Sequence, residues 1–389
     1  MCNTELGRFC STHDNWEELL TNEPYYLKIR EDGPYVIFNY DQIRSDFNNF
    51  IVREARGIIF RNGEWDVPVC FPFVKFFNYG EQNADEIDWE HAFVSEKIDG
   101  SLIKLWFDHG SGWHISTNST IDAYKALMGD AKFKSFGDYF ADTLSKYYDN
   151  SAEFYGSLNI DCTYMFELVG PYNKVVIPYD EPEIYFLGAR NKFTGEEFNC
   201  SPLLAGALSM GRFKLPKQYK LDSLEACILC AETFKWDKEG LVVSDTNGNR
   251  VKVKSPEYIL AHYARNNNII TRKRIINVIL ANEIEEFICY VPEYKEELYK
   301  IKNLMNSFYK VGDSIACSAR KLRTLDKSTF AAWAETLPKL FKGVAFRNYY
   351  VDVSAKEYTS GWSVYKWEDY LESFEKLIND YFMFGEYDK

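Results

Sequence analysis

The sequence predicts an α+β fold in two parts, and two observations carry that prediction. Up to about residue 260, short runs rich in β-branched and aromatic residues alternate with a few helical segments. Beyond Pro256, apolar residues recur at helical spacing instead. We therefore predict a domain of antiparallel sheets with helices over residues 1–260, followed by a mostly α-helical domain over residues 261–389.

Eight segments of the first part have the length and composition of strands. The last two form the clearest hairpin, because Asn247-Gly248 between them suits the tight turn that joins antiparallel strands. Residues 121–148 are predicted to be helical, with an interruption near Gly137. The predicted strands are residues 35–40, 56–60, 93–97, 101–107, 164–169, 184–190, 240–244 and 250–254.

Three segments of the second part each present one apolar helical face. Their apolar residues are mostly spaced three or four apart, as they are on one side of an α-helix. This spacing is the basis for the predicted helical domain. The three faces are formed by Ile276, Ile279, Leu280, Ile284 and Phe287, by Leu298, Ile301, Met305 and Phe308, and by Trp367, Leu371, Phe374 and Ile378.

The composition is that of a well-packed globular protein. Of the 389 residues, 46% are hydrophobic and 17% aromatic, which is too many for a disordered chain. No apolar run approaches the length of a membrane helix and the N-terminus lacks the pattern of a signal peptide, so the cytoplasm is the expected compartment. Nine scattered cysteines indicate reduced thiols. Cys227 and Cys230 form the only CxxC, and we expect them to be buried helix cysteines and not a zinc site.

The net charge of −13 excludes a surface that is basic overall, but it does not exclude nucleic acid. Contact with phosphate depends on where lysine and arginine are placed, not on the total charge. Residues 252–274 contain six basic residues and one acid, Glu257. This segment is therefore the basic exception in an acidic chain.

The segment Glu96-Lys97-Ile98-Asp99-Gly100-Ser101 places a lysine on a tight turn between two strand-like runs. Apolar residues on both sides can strip water from the ammonium group, and this favours the neutral amine that acts as a nucleophile. The same pattern also fits an ordinary hairpin turn whose lysine faces solvent. Other segments must decide between the two interpretations.

Lysines and single carboxylates in four further strand-like segments suit a nucleotide site. Lys252 and Lys254 are two apart on a strand, so they point to one face and offer a phosphate two cations. Glu167 and Glu239 each lie within an apolar run, where a metal-bound water, a sugar hydroxyl or a lysine would explain a carboxylate. Each segment alone also fits a half-exposed strand, a strand entry or a turn. The occurrence of all these segments in one chain and in this order is what favours a nucleotide site.

At these residues the sequence resembles the covalent nucleotidyltransferases, the superfamily of ATP-dependent ligases and mRNA capping enzymes. Lys97-Ile98-Asp99-Gly100 matches its K-x-D-G signature. The closer likeness is to the RNA ligase 1 family of T-even bacteriophages, and it covers about residues 36–260. The matching segments are Ala55-Arg56-Gly57-Ile58, Lys75-Phe76-Phe77-Asn78, the lysine motif, Phe166-Glu167, Glu239-Gly240 and Lys252-Val253-Lys254-Ser255.

The resemblance implies a nucleotidyltransferase domain over residues 1–260 and a three-step ligation that uses ATP with Mg²⁺ or Mn²⁺. Lys97 would attack the α-phosphorus of ATP, release pyrophosphate and carry AMP through a phosphoramidate bond. The AMP would pass to the 5′-phosphate of an RNA end, and a 3′-hydroxyl would displace it to seal the strand. Lys252 and Lys254 would contact the α-phosphate and stabilise the charge that grows there.

The resemblance also assigns an ATP site. Tyr40, Arg56 and Lys75 match the family's set for the outgoing phosphates. Glu167 would hold the ribose, and Glu239 would hold the metal through water. The full expected site comprises Tyr40, Arg56, Lys75, Phe77, Glu96, Gly100, Glu167, Glu239, Leu187 and Val242, with the last two against the adenine.

One position departs from the family pattern. A basic residue is usual in the strand after the lysine motif, and the matching stretch here has Asn118 at that point. Three explanations remain open: a nearby lysine substitutes, the alignment slips, or the activity is weaker than in typical members.

The predicted helical domain separates the members of the superfamily. DNA ligases and capping enzymes normally continue with a small β-barrel, whereas an all-helical domain that shapes the choice of RNA is typical of RNA ligase 1. We therefore predict a ligase for RNA 5′-phosphate and 3′-hydroxyl ends, and, from the family alone, repair of cleaved tRNA. A guanylyltransferase that uses GTP and an inactive nucleotide- or RNA-binding relative are the alternatives. The basic cluster at residues 320–323 either contacts RNA or forms a solvated helix face. A monomer is favoured, in the host cytoplasm if the source is viral.

Overall fold

The computed structural model describes residues 3–350, apart from residues 43, 130–131, 264–271, 281–283, 285–286, 289–293 and 323–325. The chain forms two compact units. The first comprises Met1–Trp16, Pro24–Asp41 and Ser45–Ile269, and the second comprises Glu17–Glu23, Gln42–Arg44 and Ile270–Lys389.

Three sheets form the first unit. The first is antiparallel and has the order β1 (Lys28–Asp32), β2 (Tyr35–Asn39) and β3 (Arg56–Arg61). The second is antiparallel and has the order β10 (Glu197–Asn199), β9 (Glu183–Asn191), β8 (Cys162–Val169), β6 (Ser101–Asp108) and β7 (Gly112–Thr117). The third has the order β11 (Gln218–Tyr219), β5 (Phe93–Lys97), β12 (Gly240–Ser244), β13 (Arg250–Lys254) and β4 (Phe77–Asn78).

Eight α-helices lie in the described part of residues 3–263, together with short 3₁₀ helices at Trp89–His91 and Ala123–Lys125. The helices are α1 (Glu5–Thr12), α2 (Trp16–Thr21), α3 (Phe50–Glu54), α4 (Phe136–Leu144), α5 (Ser151–Gly156), α6 (Pro202–Ala207), α7 (Leu224–Glu232) and α8 (Pro256–Tyr263).

The predicted α+β class is confirmed, and each of the eight predicted strands is present with ends within two residues of the prediction. The sheets are antiparallel with one exception, because β4 and β13 pair in parallel. Parallel neighbours need a long connection, and more than 170 residues separate these two strands in the sequence.

The predicted helix over residues 121–148 is wrong over most of its first half. Ala123–Lys125 forms only a 3₁₀ turn, and α4 runs from Phe136 to Leu144, so the last four residues of the prediction are wrong as well. Ser135 sets this start, because its side chain accepts a hydrogen bond from the backbone nitrogen of Asp138. Gly137 therefore lies in the first turn of a helix and interrupts none.

Successive side chains of a strand point to opposite faces of the sheet, so one face packs in the core and the other carries the candidate site. On β6, Ile103 and Leu105 are fully buried in one core with residues of α4 and α5. On β12 and β13, the buried valines and Leu241 form a second core with Cys227 of α7. The residues between them, including Lys104 on β6 and Lys252 and Lys254 on β13, lie on the opposite faces of these sheets.

The described part of the second unit contains the helices α9 (Arg272–Leu280), α10 (Lys295–Lys321), α11 (Lys327–Glu335) and α12 (Lys339–Tyr350). Leu298, Ile301 and Met305 are fully buried on α10, as the spacing predicts. Ile276 and Ile279 are buried on α9. The third predicted face, at residues 367–378, lies outside the described residues, as does Arg323 of the basic cluster. No described helix is long and apolar enough to cross a membrane.

Glu54, the last residue of α3, docks the start of α1. Its carboxylate oxygens accept hydrogen bonds from the backbone nitrogens of Leu6 at 2.7 Å and Glu5 at 3.2 Å. These bonds favour the charged form, but burial outweighs them and raises the pKa of Glu54 to about 7.

This raised pKa predicts a stability that depends on pH. The folded state holds a proton on Glu54 that the unfolded state releases above its ordinary pKa of about 4.5, so the stabilisation is complete below that pH and is lost as pH rises through 7. The free energy of unfolding of the wild type should fall by up to about 3 kcal/mol between pH 5 and pH 8, and Glu54→Gln should remove most of this fall. Denaturation curves of both proteins at four pH values in this range measure the effect. An equal dependence of stability on pH in the wild type and the variant would contradict this prediction.

Candidate active site

Lys97 ends β5 and lies in a row across three strands. Gly240 of β12 is opposite Lys97 on one side and opposite Lys254 of β13 on the other. Residues paired across strands point to the same face of a sheet, so both lysines project from one face, and the glycine between them adds no side chain. We call this arrangement the Lys97–Gly240–Lys254 row.

Glu239 connects the two lysines of the row. Its Oε1 atom is 2.8 Å from Lys97 Nζ and 3.8 Å from Lys254 Nζ. The carboxylate is buried, with 6% of its side chain exposed, so little water screens these charges. Three residues that the sequence assigned to separate tasks are thus a single charge cluster with two cations and one anion.

The turn after Lys97 is held by long-range contacts. Asp99 Oδ2 accepts hydrogen bonds from the backbone nitrogens of Val176 at 2.9 Å and Ile177 at 2.8 Å. The hydroxyl of Tyr258 donates to Asp99 Oδ1 at 2.9 Å. Asp99 is buried, so these three bonds stabilise its charge and fix the turn that carries Lys97.

Gly100 lets this turn lie against β8. A Cβ atom at Gly100 would be 2.6 Å from the backbone oxygen of Leu168 and 3.0 Å from Cγ of Glu167. Any larger residue would push the turn away from the strand that carries Glu167. The close approach therefore accounts for the glycine in the lysine motif.

Glu167 lies on β8, opposite Leu102 of β6 and Tyr185 of β9. Burial raises the pKa of Glu167 to about 8; Lys97 and Arg56 oppose the shift, and Glu239 adds to it. These couplings place Glu167 in the same electrostatic environment as the row. A half-buried carboxyl without a salt bridge among the described residues is suited to an uncharged partner such as a sugar hydroxyl.

The ring of Phe76 lies near three cations from two strands, β3 of the first sheet and β13 of the third. Its ring centre is 5.3 Å from the guanidinium of Arg56, 5.3 Å from Lys252 Nζ and 5.4 Å from the guanidinium of Arg250. Arg56 also donates to the backbone oxygen of Phe73 at 3.3 Å, and burial lowers its pKa while Tyr40 opposes this shift. Phe76 was not among the predicted site residues, although it lies within the Lys75-Phe76-Phe77-Asn78 motif.

Lys75 is surrounded by aromatic rings. Its Nζ atom is 5.5 Å from the ring centre of Tyr40, 5.6 Å from that of Phe47 and 5.4 Å from that of Phe77. Tyr40, Lys75 and Phe77 were predicted site residues, and the structure brings them together. Phe47 was missed, because it lies in a loop with no pattern of its own.

The structure gives Glu96 contacts away from the row. Its Oε2 atom accepts a hydrogen bond from the hydroxyl of Tyr219 at 3.1 Å and lies 3.9 Å from Lys238 Nζ. Val242 is opposite Ser95 and Lys252, so it shares the face of the row. Leu187 lies at an irregularity of β9, between residues that pair with Met165 and Phe166 of β8.

Glu239 fits a metal ion that keeps most of its water. Within the described residues, no group of three or more histidine, cysteine, aspartate or glutamate side chains could hold a metal ion directly. A single buried carboxylate can bind a hydrated Mg²⁺ through water, which is a common way for this ion to bind. Cys227 and Cys230 lie on a helix as predicted, and both are free thiols. Only Cys227 is buried, however, because Cys230 is half-exposed on that helix.

Comparison with known proteins supplies the family. An RNA ligase family model of the T4 RNA ligase 1 type matches residues 54–258, which include Lys97 and the row. The chain belongs to this RNA ligase 1 family. The match begins two residues before Arg56 and ends at Tyr258, so it contains every predicted site residue except Tyr40.

Two relatives show how far the likeness extends. A protein of Autographa californica nuclear polyhedrosis virus, named as a bifunctional polynucleotide kinase/RNA ligase, is 29% identical over 84% of this RNA ligase family chain and 47% of the viral protein. An RNA ligase of Rhodothermus phage RM378 is 26% identical over 74% of this chain and 76% of the phage protein. The chain therefore spans about half of one relative and three quarters of the other.

A solved structure of Naegleria gruberi RNA ligase with pyrophosphate aligns with a TM-score of 0.35 and 14% identity, over 45% of this chain and 52% of that chain.

Proposed function

We propose that this protein is an ATP-dependent RNA ligase that joins 5′-phosphate and 3′-hydroxyl ends through lysyl-AMP and RNA-adenylate intermediates. The observation that carries the proposal is the Lys97–Gly240–Lys254 row with Glu239 between its lysines. It supplies a nucleophile and a second cation, each within 4 Å of the same carboxylate oxygen. Membership of the RNA ligase 1 family supports the choice of RNA as substrate.

In the first step, Lys97 Nζ attacks the α-phosphorus of ATP. A nitrogen–phosphorus bond forms, the bond from the α-phosphorus to the bridging oxygen breaks, and pyrophosphate leaves with the electron pair. Nζ gives up a proton, for which Glu239 Oε1 is an acceptor at 2.8 Å. Lys254 and Lys252 lie on the same face and stabilise the negative charge on the α-phosphate.

Arg56 and Lys75 receive the outgoing phosphates. Each is fixed by aromatic rings, Arg56 by Phe76 and Lys75 by the rings of Tyr40, Phe47 and Phe77, so both cations are oriented before ATP binds. Glu167 holds the ribose. Bound through water at Glu239, Mg²⁺ or Mn²⁺ supplies further positive charge to the phosphates.

In the second and third steps, AMP passes from Lys97 to the RNA 5′-phosphate, and the 3′-hydroxyl displaces it. We assign these steps and the ATP site to residues 1–260, and the choice of RNA, including cleaved tRNA, to residues 261–389. A monomer acting in the cytoplasm is our proposal for its state, and the seven free cysteines of the described residues support a reducing compartment.

Incubation with α-labelled ATP or GTP and Mg²⁺, without RNA, tests the proposal directly. We expect a labelled covalent adduct with ATP on a denaturing gel, and its loss when pyrophosphate is added in excess. An adduct with GTP alone would indicate a guanylyltransferase. No adduct with either nucleotide would indicate an inactive relative and would overturn the proposed function.

Sealing is then measured with a nicked or open RNA that carries 5′-phosphate and 3′-hydroxyl ends. We expect a joined product with ATP, and an equally labelled enzyme but no product when the 5′-phosphate is removed. Product that forms without a 5′-phosphate would contradict the proposed order of steps.

A further inference from the structure

Lys104 is a fully buried lysine that the proposed reaction does not use. It lies on β6 between two residues of the helix-covered core, Ile103 and Leu105, so its side chain lies on the opposite face of the sheet. Lys104 Nζ donates a hydrogen bond to the backbone oxygen of Gly57. No carboxylate of the described residues forms a salt bridge with it. A buried ammonium group without a counter-ion is costly, so this position needs a reason.

The electrostatics connect Lys104 to Arg56. Burial lowers the pKa of Lys104 to about 8, Cys70 opposes the shift, and Arg56 adds to it. Arg56 affects Lys104 in this way only because the two cations are near each other. Since Arg56 is also coupled to Glu167, and Glu167 to Lys97, Lys104 belongs to the same set of coupled charged residues as Lys97.

Gly57 brings the three strands β3, β6 and β7 together. Its φ of +78° favours glycine, and a Cβ atom there would lie 2.6 Å from Lys104 Nζ and in collision with the backbone oxygen of Asn118. The side-chain Oδ1 of Asn118 would be 3.2 Å from the same Cβ. This Oδ1 atom is buried and has no hydrogen-bond partner. Lys104 and Asn118 therefore approach Gly57 together.

Register places the two side chains on one face. Lys104 is opposite Ser116 on β7, and Asn118 follows two residues later, so Lys104 and Asn118 are diagonal neighbours. Glu167 is on that face as well, because Leu102, two residues before Lys104, is opposite Glu167. A lysine at either position, 104 or 118, would therefore carry a cation beside Gly57.

We propose that Lys104 is a positioning residue for ATP: by binding the oxygen of Gly57 it fixes the adjacent Arg56, and it supplies the positive charge that Asn118 does not. The inference rests on the proposed ligase function. It gives a reason for a buried lysine without a carboxylate beside an asparagine, and it selects the first of the three explanations that the sequence left open.

The test measures the rate of adduct formation against ATP concentration for wild type, Lys104→Met, and Lys104→Met combined with Asn118→Lys. Methionine keeps the length of the chain and removes the charge and the donor. We expect Lys104→Met to raise the apparent KM for ATP at least tenfold and to lower the maximal rate less than that. The second substitution should return KM to within threefold of wild type.

Leu105→Ala is the matched control, because Leu105 is equally buried on the same strand but lies on the other face. It should destabilise the protein by about 2–5 kcal/mol and leave KM within twofold of wild type. All rates are taken at a temperature at which circular dichroism shows each variant to be folded.

A wild-type protein that forms no adduct overturns the proposed function itself. If wild type reacts, KM within twofold of wild type for Lys104→Met overturns the positioning role. So does a folded double variant that is no better than Lys104→Met. If Lys104→Met does not fold, the double variant decides: recovery of both fold and KM supports the proposal, and failure to fold assigns Lys104 to packing and overturns it.

Discussion

Replacement of Lys97 by alanine is expected to abolish the covalent adduct with ATP, with a loss of at least about 10³-fold in the rate of labelling. The alanine leaves no nitrogen to attack the α-phosphorus. Lys97→Arg should fail as well, because a guanidinium group stays protonated and is not a nucleophile. Labelling with α-labelled ATP, followed by a denaturing gel, gives the result.

The control for Lys97→Ala is a step that does not use the amine. An RNA that already carries AMP on its 5′-phosphate needs only the attack of the 3′-hydroxyl, so both variants should still seal it. Sealing of pre-adenylylated RNA with no adduct from ATP shows that the site is folded and that Lys97 acts in the first steps. An adduct that survives Lys97→Ala would move the nucleophile to another residue.

The residue pattern of the sequence was sufficient to predict the strands that carry the site. Strands β5, β12 and β13 were predicted with their observed bounds, because each is a short run rich in aromatic or β-branched residues, and in β13 valine alternates with arginine or lysine. The same alternation places Lys252 and Lys254 on one face. What the alternation cannot give is which strands are neighbours, so the placement of Glu239 between Lys97 and Lys254 required the structure.

Residues that act through long-range contacts were missed. Tyr258 contacts Asp99 across 159 positions of sequence, and Phe47 reaches Lys75 from a loop. Neither residue lies in a recognisable sequence motif, because its role follows only from the distant residue that it contacts. Phe76 and Lys104 did lie within quoted segments, but both occupy strand-like runs in which a buried aromatic or a lysine is unremarkable. The helix predicted over residues 121–148 failed for a local reason, since the Ser135 cap starts the helix later than the apolar residues suggest.

An ion pair between Arg250 and Glu197 links two of the sheets next to the site. Arg250 Nη2 of β13 is 2.9 Å from Glu197 Oε2 of β10, and the Arg250 guanidinium lies 3.8 Å from the ring centre of Phe73. Both charged side chains are largely buried. The ion pair therefore joins the second and third sheets at the strand that carries Lys252 and Lys254.

Replacement of Glu239 by glutamine is expected to lower the rate of adduct formation by about 10² to 10³. Glutamine has the shape of glutamate but no charge, so Lys97 and Lys254 would face each other without the anion between them. Removal of one partner from a buried ion pair costs about 3–5 kcal/mol, and here that cost falls on the residues that react. The same change removes the carboxylate proposed to hold hydrated Mg²⁺, so we also expect a higher concentration of Mg²⁺ to be needed for half-maximal labelling.

Glu257→Gln is the matched control for Glu239→Gln. Glu257 also pairs with a lysine, Lys235 at 2.7 Å, but 43% of its side chain is exposed. Exposed ion pairs contribute little, so this variant should label within twofold of wild type. Rates are compared across a range of Mg²⁺ concentrations, with circular dichroism to show that both variants are folded. A folded Glu239→Gln protein that labels within threefold of wild type at every Mg²⁺ concentration would mean that the carboxylate between the two lysines is dispensable, and the charge cluster would then lose its place at the centre of the mechanism.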